Sequence, residues 1–309
     1  MVKKVSIIVP SYNESENIAG FLKVTREALK EISQKYKFDI LFIDDGSTDQ
    51  TLTEIKKIKD PDVHFVSFSR NFGKEAAIYA GLDNTREYDY LIFMDVDLQD
   101  PPTLIPEMIL KMEKGGFDSV ATARANRKGE KAITSFFSNL FYQLFSKMSQ
   151  VKLIPGARDF RIISRQMADA ILSMPEKQRF SKGIFNWIGF KTDYIYYENI
   201  NRKKGQTKWN FWKLFKYAID GIVNFSTVPL TIVSLLGFIS TVVGFIGIIA
   251  VIARRMIGVY SQFGWASLIS ILMFFAGLQM FSLGVIGRYI STIYLETKNR
   301  PMYVIKEMK

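Results

Sequence analysis

The sequence predicts an α/β protein: a doubly wound, mostly parallel sheet in the first part of the chain, then two long apolar helices. Three observations predict it. Short apolar runs alternate with polar segments of helical period from residue 1 to about 125. Acidic and turn-forming residues gather where three of those runs end. Two stretches without a charged residue, 228–253 and 264–287, each exceed the roughly 20 residues a helix needs to cross a bilayer.

Taken in order, the expected strands are 5–9, 40–43, 63–67, 91–94 and 119–123. Helices are expected near 16–34, 51–59, 74–84 and 103–114. The first apolar run is too short for the hydrophobic core of a secretory signal and ends at Pro10. No repeat or low-complexity linker interrupts the alternation.

Composition narrows the chemistry. With 48% hydrophobic and 23% charged residues, the chain can bury a sizeable core. The formal charge of +11 calls for an anionic partner: nucleic acid, membrane surface or a phosphorylated substrate. Basic and aromatic residues form no recognisable nucleic-acid module, so no nucleic-acid partner is expected. The absence of cysteine excludes disulfides and thiolate metal sites, and the single histidine, His64, excludes multi-histidine sites. His64 adjoins Phe65 and Val66 and is read as structural.

The chemistry-bearing residues sit at predicted strand ends. After the first strand comes Pro10-Ser11-Tyr12-Asn13-Glu14, and after the second Asp44-Asp45-Gly46-Ser47-Thr48-Asp49. After the fourth, Asp95 and Asp97 arrive on alternate residues, and Pro101-Pro102 stops the strand. Ligands of open α/β sheets collect outside the carboxyl ends of the strands. Paired carboxylates there can share a hard divalent ion, Mg²⁺ or Mn²⁺, which readily keeps phosphate oxygens in its shell. Asp44 or Asp45 could accept hydrogen bonds from a base or ribose, with Gly46 letting the backbone approach a ligand closely. Neither G-x-G-x-x-G after the first strand nor a P-loop occurs.

These residues resemble glycosyltransferase family 2, the inverting nucleotide-sugar transferases with a GT-A head. Arg70-Asn71-Phe72-Gly73-Lys74, Asp97-Leu98-Gln99-Asp100-Pro101-Pro102, Asp159-Phe160-Arg161 and Arg202-x-x-Gly205-x-Thr207-Lys208 are similar to its polyprenyl-phosphate branch. That branch includes bactoprenol glucosyltransferases and dolichol-phosphate mannose synthase. The resemblance implies a nucleotide-sugar site at Pro10, Tyr12, Glu14, Asp44, Asp45, Lys74, Asp95 and Val96. It implies a metal on Asp95 and Asp97 with Gln99, and catalytic roles for Asp97 and Asp159. Cations between head and membrane, Arg124, Arg127, Arg161, Lys182, Arg202 and Lys208, would receive the acceptor phosphate, because two anions must be held close together. Asp159 is either a general base or the group that orients Arg161 or Lys208.

The organisation expected is a catalytic head over 1–207, an interfacial helix over 208–227, two transmembrane helices within 228–288 and a tail over 289–309. Residues 131–150 carry an aromatic face at helical spacing, suited either to core packing or to a helix lying in the membrane plane. In residues 209–217, Trp, Phe and Tyr alternate with Lys, as a headgroup-level helix requires. Lys208, Lys213 and Lys216 precede the hairpin, and Arg288, Lys298, Arg300, Lys306 and Lys309 follow it. Only Arg254 and Arg255 stand in the connection. The positive-inside rule then puts the head and both termini on the cytoplasmic face of the plasma membrane. Gly244, Gly247, Gly284 and Gly287 would permit close helix contact, within the hairpin or in a homo-oligomer.

The function expected is transfer of one sugar from a nucleotide sugar, UDP-glucose first, to undecaprenyl phosphate for cell-envelope glycan modification. A processive polysaccharide synthase would carry Gln-x-x-Arg-Trp and more spans, and Gln178-Arg179-Phe180 does not match. A non-catalytic membrane scaffold would have had no need to keep Asp95 and Asp97.

Overall fold

The computed structural model describes residues 2–125, 143, 145–149, 151–174, 176–198, 219–257 and 264–309. Eight strands form one sheet: β1 (Lys3–Ser11), β2 (Tyr36–Asp44), β3 (Val63–Phe68), β4 (Tyr90–Phe93), β5 (Ser119–Arg124), β6 (Ala157–Ser164), β7 (Thr192–Tyr197) and β8 (Ile305–Met308). Their order is β7-β5-β6-β4-β1-β2-β3-β8. Around them the described helices are α1 (Ile18–Leu29), α2 (Thr51–Lys56), α3 (Lys74–Asp83), α4 (Ile105–Gly115), α5 (Arg165–Leu172), α6 (Ser181–Trp187), α7 (Val228–Met256) and α8 (Trp265–Thr297).

Period-two alternation divides the sheet into two buried faces. Ile7, Val9, Ile40 and Phe42 join α1, α2 and α4 residues such as Phe21, Ile55 and Met108 in one core. Ile8, Leu41, Ile43 and Val66 join Ala77, Met167 and Phe185 from α3, α5 and α6 in the other. Small residues let α3 lie close against the sheet. A Cβ on Gly81 would stand 2.2 Å from Cγ2 of Ile8. This close seat fixes the first residue of α3, Lys74, at the carboxyl edge.

The five strands expected in residues 1–125 are all present, but the sheet is more mixed than predicted. β1, β2, β3 and β4 are parallel neighbours. β6 enters antiparallel between β4 and β5, β7 joins β5 in parallel, and β8 closes the other edge antiparallel to β3. Two of the three extra strands escape a hydrophobic reading for a physical reason. β6 begins Ala-Arg-Asp-Phe-Arg, and β8 is Ile-Lys-Glu-Met, a charged edge strand.

The segment expected to be a tail over 289–309 therefore continues α8 to Thr297 and ends in the sheet. Phe65 and Lys309 exchange both backbone hydrogen bonds, at 3.1 and 2.9 Å. Tyr303 stacks on Phe68 with centroids 5.1 Å apart, and its hydroxyl donates to Asp83 at 2.9 Å. Lys56 pairs with Glu307 at 2.5 Å.

α7 and α8 contain apolar spans of 27 and 30 residues, long enough to cross a bilayer by length and composition. Their side chains point outward: Phe238 and Phe274 are each 67% exposed. Arg254 and Arg255 fall in the last turn of α7 rather than in the connection. The far end of α8 returns to the head, where Arg288 pairs with Asp220 and the Tyr289 hydroxyl donates to the Ser226 carbonyl at 2.7 Å. The expected aromatic helix over 131–150 and interfacial segment over 209–217 lie largely outside the described residues, although 219–225 is helical.

Tyr303→Ala should lower the unfolding free energy by about 2 kcal/mol, and Tyr303→Phe by about 1 kcal/mol, because the second change keeps the ring and removes only the hydroxyl's bonds, to Asp83 and from Asn84. Chemical denaturation of the solubilised protein measures both. An unchanged transition in the alanine variant would contradict the tail's place in the fold.

Candidate active site

The loops leaving β1, β2, β3 and β4 meet at one edge. Asn13 adopts φ 52° and fastens the first two together: its N–H donates to Ser47 Oγ at 3.0 Å, and its Oδ1 accepts from the Thr48 N–H at 2.8 Å. The Glu14 N–H donates to Thr51 Oγ1 at 2.8 Å, and Glu14 Oε2 accepts from Asn17 at 2.6 Å. Tyr12 and Pro10 are half-buried on the same edge.

Asp44 and Asp45 divide their work. Asp44 is buried and accepts from Ser67 Oγ at 2.7 Å and from the Ser47 N–H at 3.1 Å, so it braces β2 against β3. Asp45 accepts from the Phe72 N–H at 2.6 Å and the Gly73 N–H at 2.9 Å, pinning the turn that starts α3. Gly46 approaches protein rather than ligand. At φ +64°, a Cβ there would stand 2.3 Å from the Arg70 carbonyl carbon. Burial pushes the Asp45 carboxyl up to about 6, against the two backbone N–H groups that favour its ionised form.

At the centre stands Lys74. Its ammonium lies 2.8 Å from Asp95 Oδ1 and 2.7 Å from Asp159 Oδ2. Asp95 follows β4 and Asp159 belongs to β6, so one cation ties the ends of two adjacent strands. Crowding would raise the Asp159 carboxyl, but Lys74, with Lys182 and Arg158 nearby, outweighs it and holds the acid far below the usual carboxylate range. Desolvation would lower the Lys74 ammonium, but Asp159 and Asp95 hold it well above its ordinary value. Among the described residues the Asp159 carboxylate orients an ammonium, that of Lys74 at 2.7 Å, while Arg161 lies buried against Phe185.

A second cluster adjoins the first. Gln99 Oε1 accepts from Arg124 at 3.0 Å and Arg158 at 3.3 Å. Asp100, 1% exposed, takes Arg158 Nε at 3.0 Å and the Tyr197 hydroxyl. Sequence reading missed Arg158. The available signal was its place next to Asp159 at the start of a strand, with a charge close enough to act on that carboxyl.

Three expected residues fall elsewhere. Arg161 is 1% exposed, with its guanidinium 3.9 Å over the Phe185 ring, so it supports the sheet from beneath. The Val96 side chain is buried in the core, leaving only its backbone at the edge. Gln99 faces two guanidinium groups, an unfavourable place for a cation. Arg127, Arg202 and Lys208 lie outside the described residues.

The donors suit a divalent ion that is shared with substrate. Asp95 and Asp97 provide hard carboxylate oxygens at a strand end, but the Lys74 ammonium touches both Asp95 oxygens, at 2.8 and 3.0 Å, so a bound ion would have to displace it from at least one of them. Among the described residues no group of three or more acids or histidines could enclose a metal alone. An ion held by two carboxylates would take its remaining ligands from phosphate and water, which fits Mg²⁺ or Mn²⁺.

A family model described as Glycosyl transferase family 2 matches residues 6–172. The chain is 43% identical to the putative glycosyltransferase CsbB of Bacillus subtilis (strain 168), over 98% of this chain and 91% of that one. It is 41% identical to the prophage bactoprenol glucosyl transferase homolog of Escherichia coli (strain K12), over 99% of each. With the bactoprenol glucosyl transferase of Shigella phage SfX it shares 40% identity, over 99% of this chain and all of that one. Among solved structures, glucosyl-3-phosphoglycerate synthase from Mycobacterium tuberculosis with Mn²⁺ and uridine-diphosphate-glucose aligns over 72% of this chain and 77% of that one, at 17% identity and a TM-score of 0.46.

The family match defines a sugar-transferring enzyme, here with a mixed α/β head. The chain belongs to glycosyltransferase family 2.

Nucleotide-sugar affinity should fall as pH drops from 7 to 5, because protonating Asp45 near pH 6 weakens its grip on the turn before Lys74. The donor diphosphate is fully esterified and does not titrate in this range. Asp45→Asn should bind more weakly at pH 7 and lose most of this pH dependence. Calorimetric titration from pH 5 to 8 tests it, and an undiminished slope in the variant would contradict it.

Proposed function

We propose that the enzyme transfers a single glucose from UDP-glucose to a membrane polyprenyl phosphate, undecaprenyl phosphate, with inversion at the anomeric carbon and with the help of Mg²⁺ or Mn²⁺. The observation that carries this reading is the match along nearly the whole chain, both apolar helices included, to proteins named for glucosyl transfer to bactoprenol. The proposed setting is the plasma membrane, crossed by α7 and α8, with the head and both chain ends in the cytoplasm. Of the proposed partners, the donor arrives from water and the acceptor from the bilayer.

The chain's own residues divide the task. Asp95 and Asp97 would hold the divalent ion, which when bound would supply positive charge to the departing diphosphate. Asp45 and the turn it pins shape the nucleotide side, together with Tyr12 and Glu14. Lys74 sets Asp95 and Asp159 at a fixed separation and tempers their repulsion of both anionic substrates. Arg124 and Arg158, with Arg127, Arg202 and Lys208, supply the cationic rim for the acceptor phosphate. A phosphate monoester has its second pKa near 6, so the attacking oxygen is already ionised at pH 7. The protein needs to bring two anions together more than it needs to remove a proton. A single direct displacement by that oxygen inverts the sugar carbon.

Transfer is measured with labelled UDP-glucose and undecaprenyl phosphate in detergent or nanodiscs. Asp97→Ala should reduce turnover on the order of 100-fold or more, with the protein still folded. Arg202→Ala should raise KM for the lipid phosphate about tenfold with little change for the donor. Full turnover in the first variant would remove the metal assignment, and equal KM effects in the second would remove its acceptor role. Chains of sugar instead of single additions would point to a processive synthase.

A further inference from the structure

Between α5 and α6 the chain passes through residues 177–181, a short segment held from two directions. On one side stands Glu296, in the last turn of α8. Its carboxylate accepts from the Lys177 N–H at 2.8 and 2.9 Å and from the Gln178 N–H at 2.8 Å. The Gln178 carbonyl accepts from Asn224 Nδ2 at 2.8 Å, in the helical stretch whose Asp220 pairs with Arg288 of α8. On the other side stands Glu75 of α3, next to Lys74. Its Oε2 accepts the Ser181 N–H at 3.0 Å and the Ser181 hydroxyl. Between these anchors, Arg179 stacks over Tyr79 of α3 at 5.0 Å and donates to the carbonyls of Met174 and Ile171.

Glu296 binds two main-chain N–H groups of this segment and Glu75 binds one together with a hydroxyl, which fixes position more tightly than a flexible ion pair would. Burial raises the Glu75 carboxyl above its ordinary range, and the Ser181 hydroxyl and N–H oppose that shift by favouring the ionised form. Lys182 follows Ser181 directly and lies close enough to help hold Asp159 ionised. A continuous chain of contacts thus runs from the apolar hairpin, through 177–181, to the helix that begins with Lys74.

We propose that Glu296 and Glu75 are positioning residues that fix the seat of the apolar hairpin relative to Lys74, Lys182 and Asp159, so that a phosphate anchored in the bilayer arrives at reacting height. The inference rests on the reading that the acceptor is a polyprenyl phosphate. An acceptor bound through its lipid chain has its phosphate height set by the hairpin, whereas a freely diffusing phosphate does not depend on that seat.

The test uses the full chain in nanodiscs, with UDP-glucose as donor and two acceptors, undecaprenyl phosphate and a detergent-free short-chain isoprenyl phosphate. Glu296→Ala should raise KM for undecaprenyl phosphate about three- to tenfold. KM for the short acceptor and the affinity for UDP-glucose should stay within about twofold, the range of a negligible coupling energy. Ser181→Ala, which removes one hydroxyl contact and no backbone bond, should show the same selectivity at smaller size and serves if the first variant does not fold. Equal losses with both acceptors, or a parallel loss of donor affinity, would show a merely structural role and overturn the proposal. Unchanged kinetics in both variants would overturn it as well. A wild-type enzyme that glucosylates neither acceptor would instead sink the underlying functional reading.

Discussion

The site depends on one lysine between two acids. Lys74 lies within hydrogen-bonding distance of Asp95 and Asp159. Without that cation, two carboxylates would face each other unneutralised at the sheet edge, and like charges repel most where water is partly excluded. Much of the local architecture serves to deliver this ammonium. Gly81 lets α3 lie close to β1, Asp45 pins the turn before α3, and β6 inserts beside β4 to carry Asp159.

The sheet explains why such a site forms at all. Parallel β1 to β4 place four loops at one edge, as doubly wound sheets do. The antiparallel β6 reverses that direction, so its early residues, not its last ones, reach the same edge. Asp159 and Arg158 therefore enter the site from the beginning of a strand. The C-terminal strand ties the end of the chain beyond α8 back into the sheet.

Much of this was legible in sequence, and the gaps have physical causes. Uninterrupted apolar runs located β1 to β5, and uncharged length located α7 and α8. β6 and β8 were missed because charged residues, needed at the site and at an exposed edge, broke the apolar signal. The motif residues Lys74, Asp95 and Asp159 were singled out separately. Their union was not readable, since Asp95 and Asp159 lie 21 and 85 positions away from the lysine. Gly46 was correctly marked as a close-approach glycine, but its neighbour is the Arg70 backbone. Arg161 looked like a phosphate ligand because sequence shows charge and hides burial.

On the proposed reading, Asp159 holds Lys74 and takes no proton from the acceptor. The pH dependence of kcat for Asp159→Asn beside the unaltered enzyme, at saturating donor and acceptor, decides between this role and that of a general base. A lower plateau is expected in the variant with the rise near pH 6 retained, because that rise belongs to the acceptor phosphate. Loss of the rise in the variant, with activity flat across that range, would make Asp159 the general base.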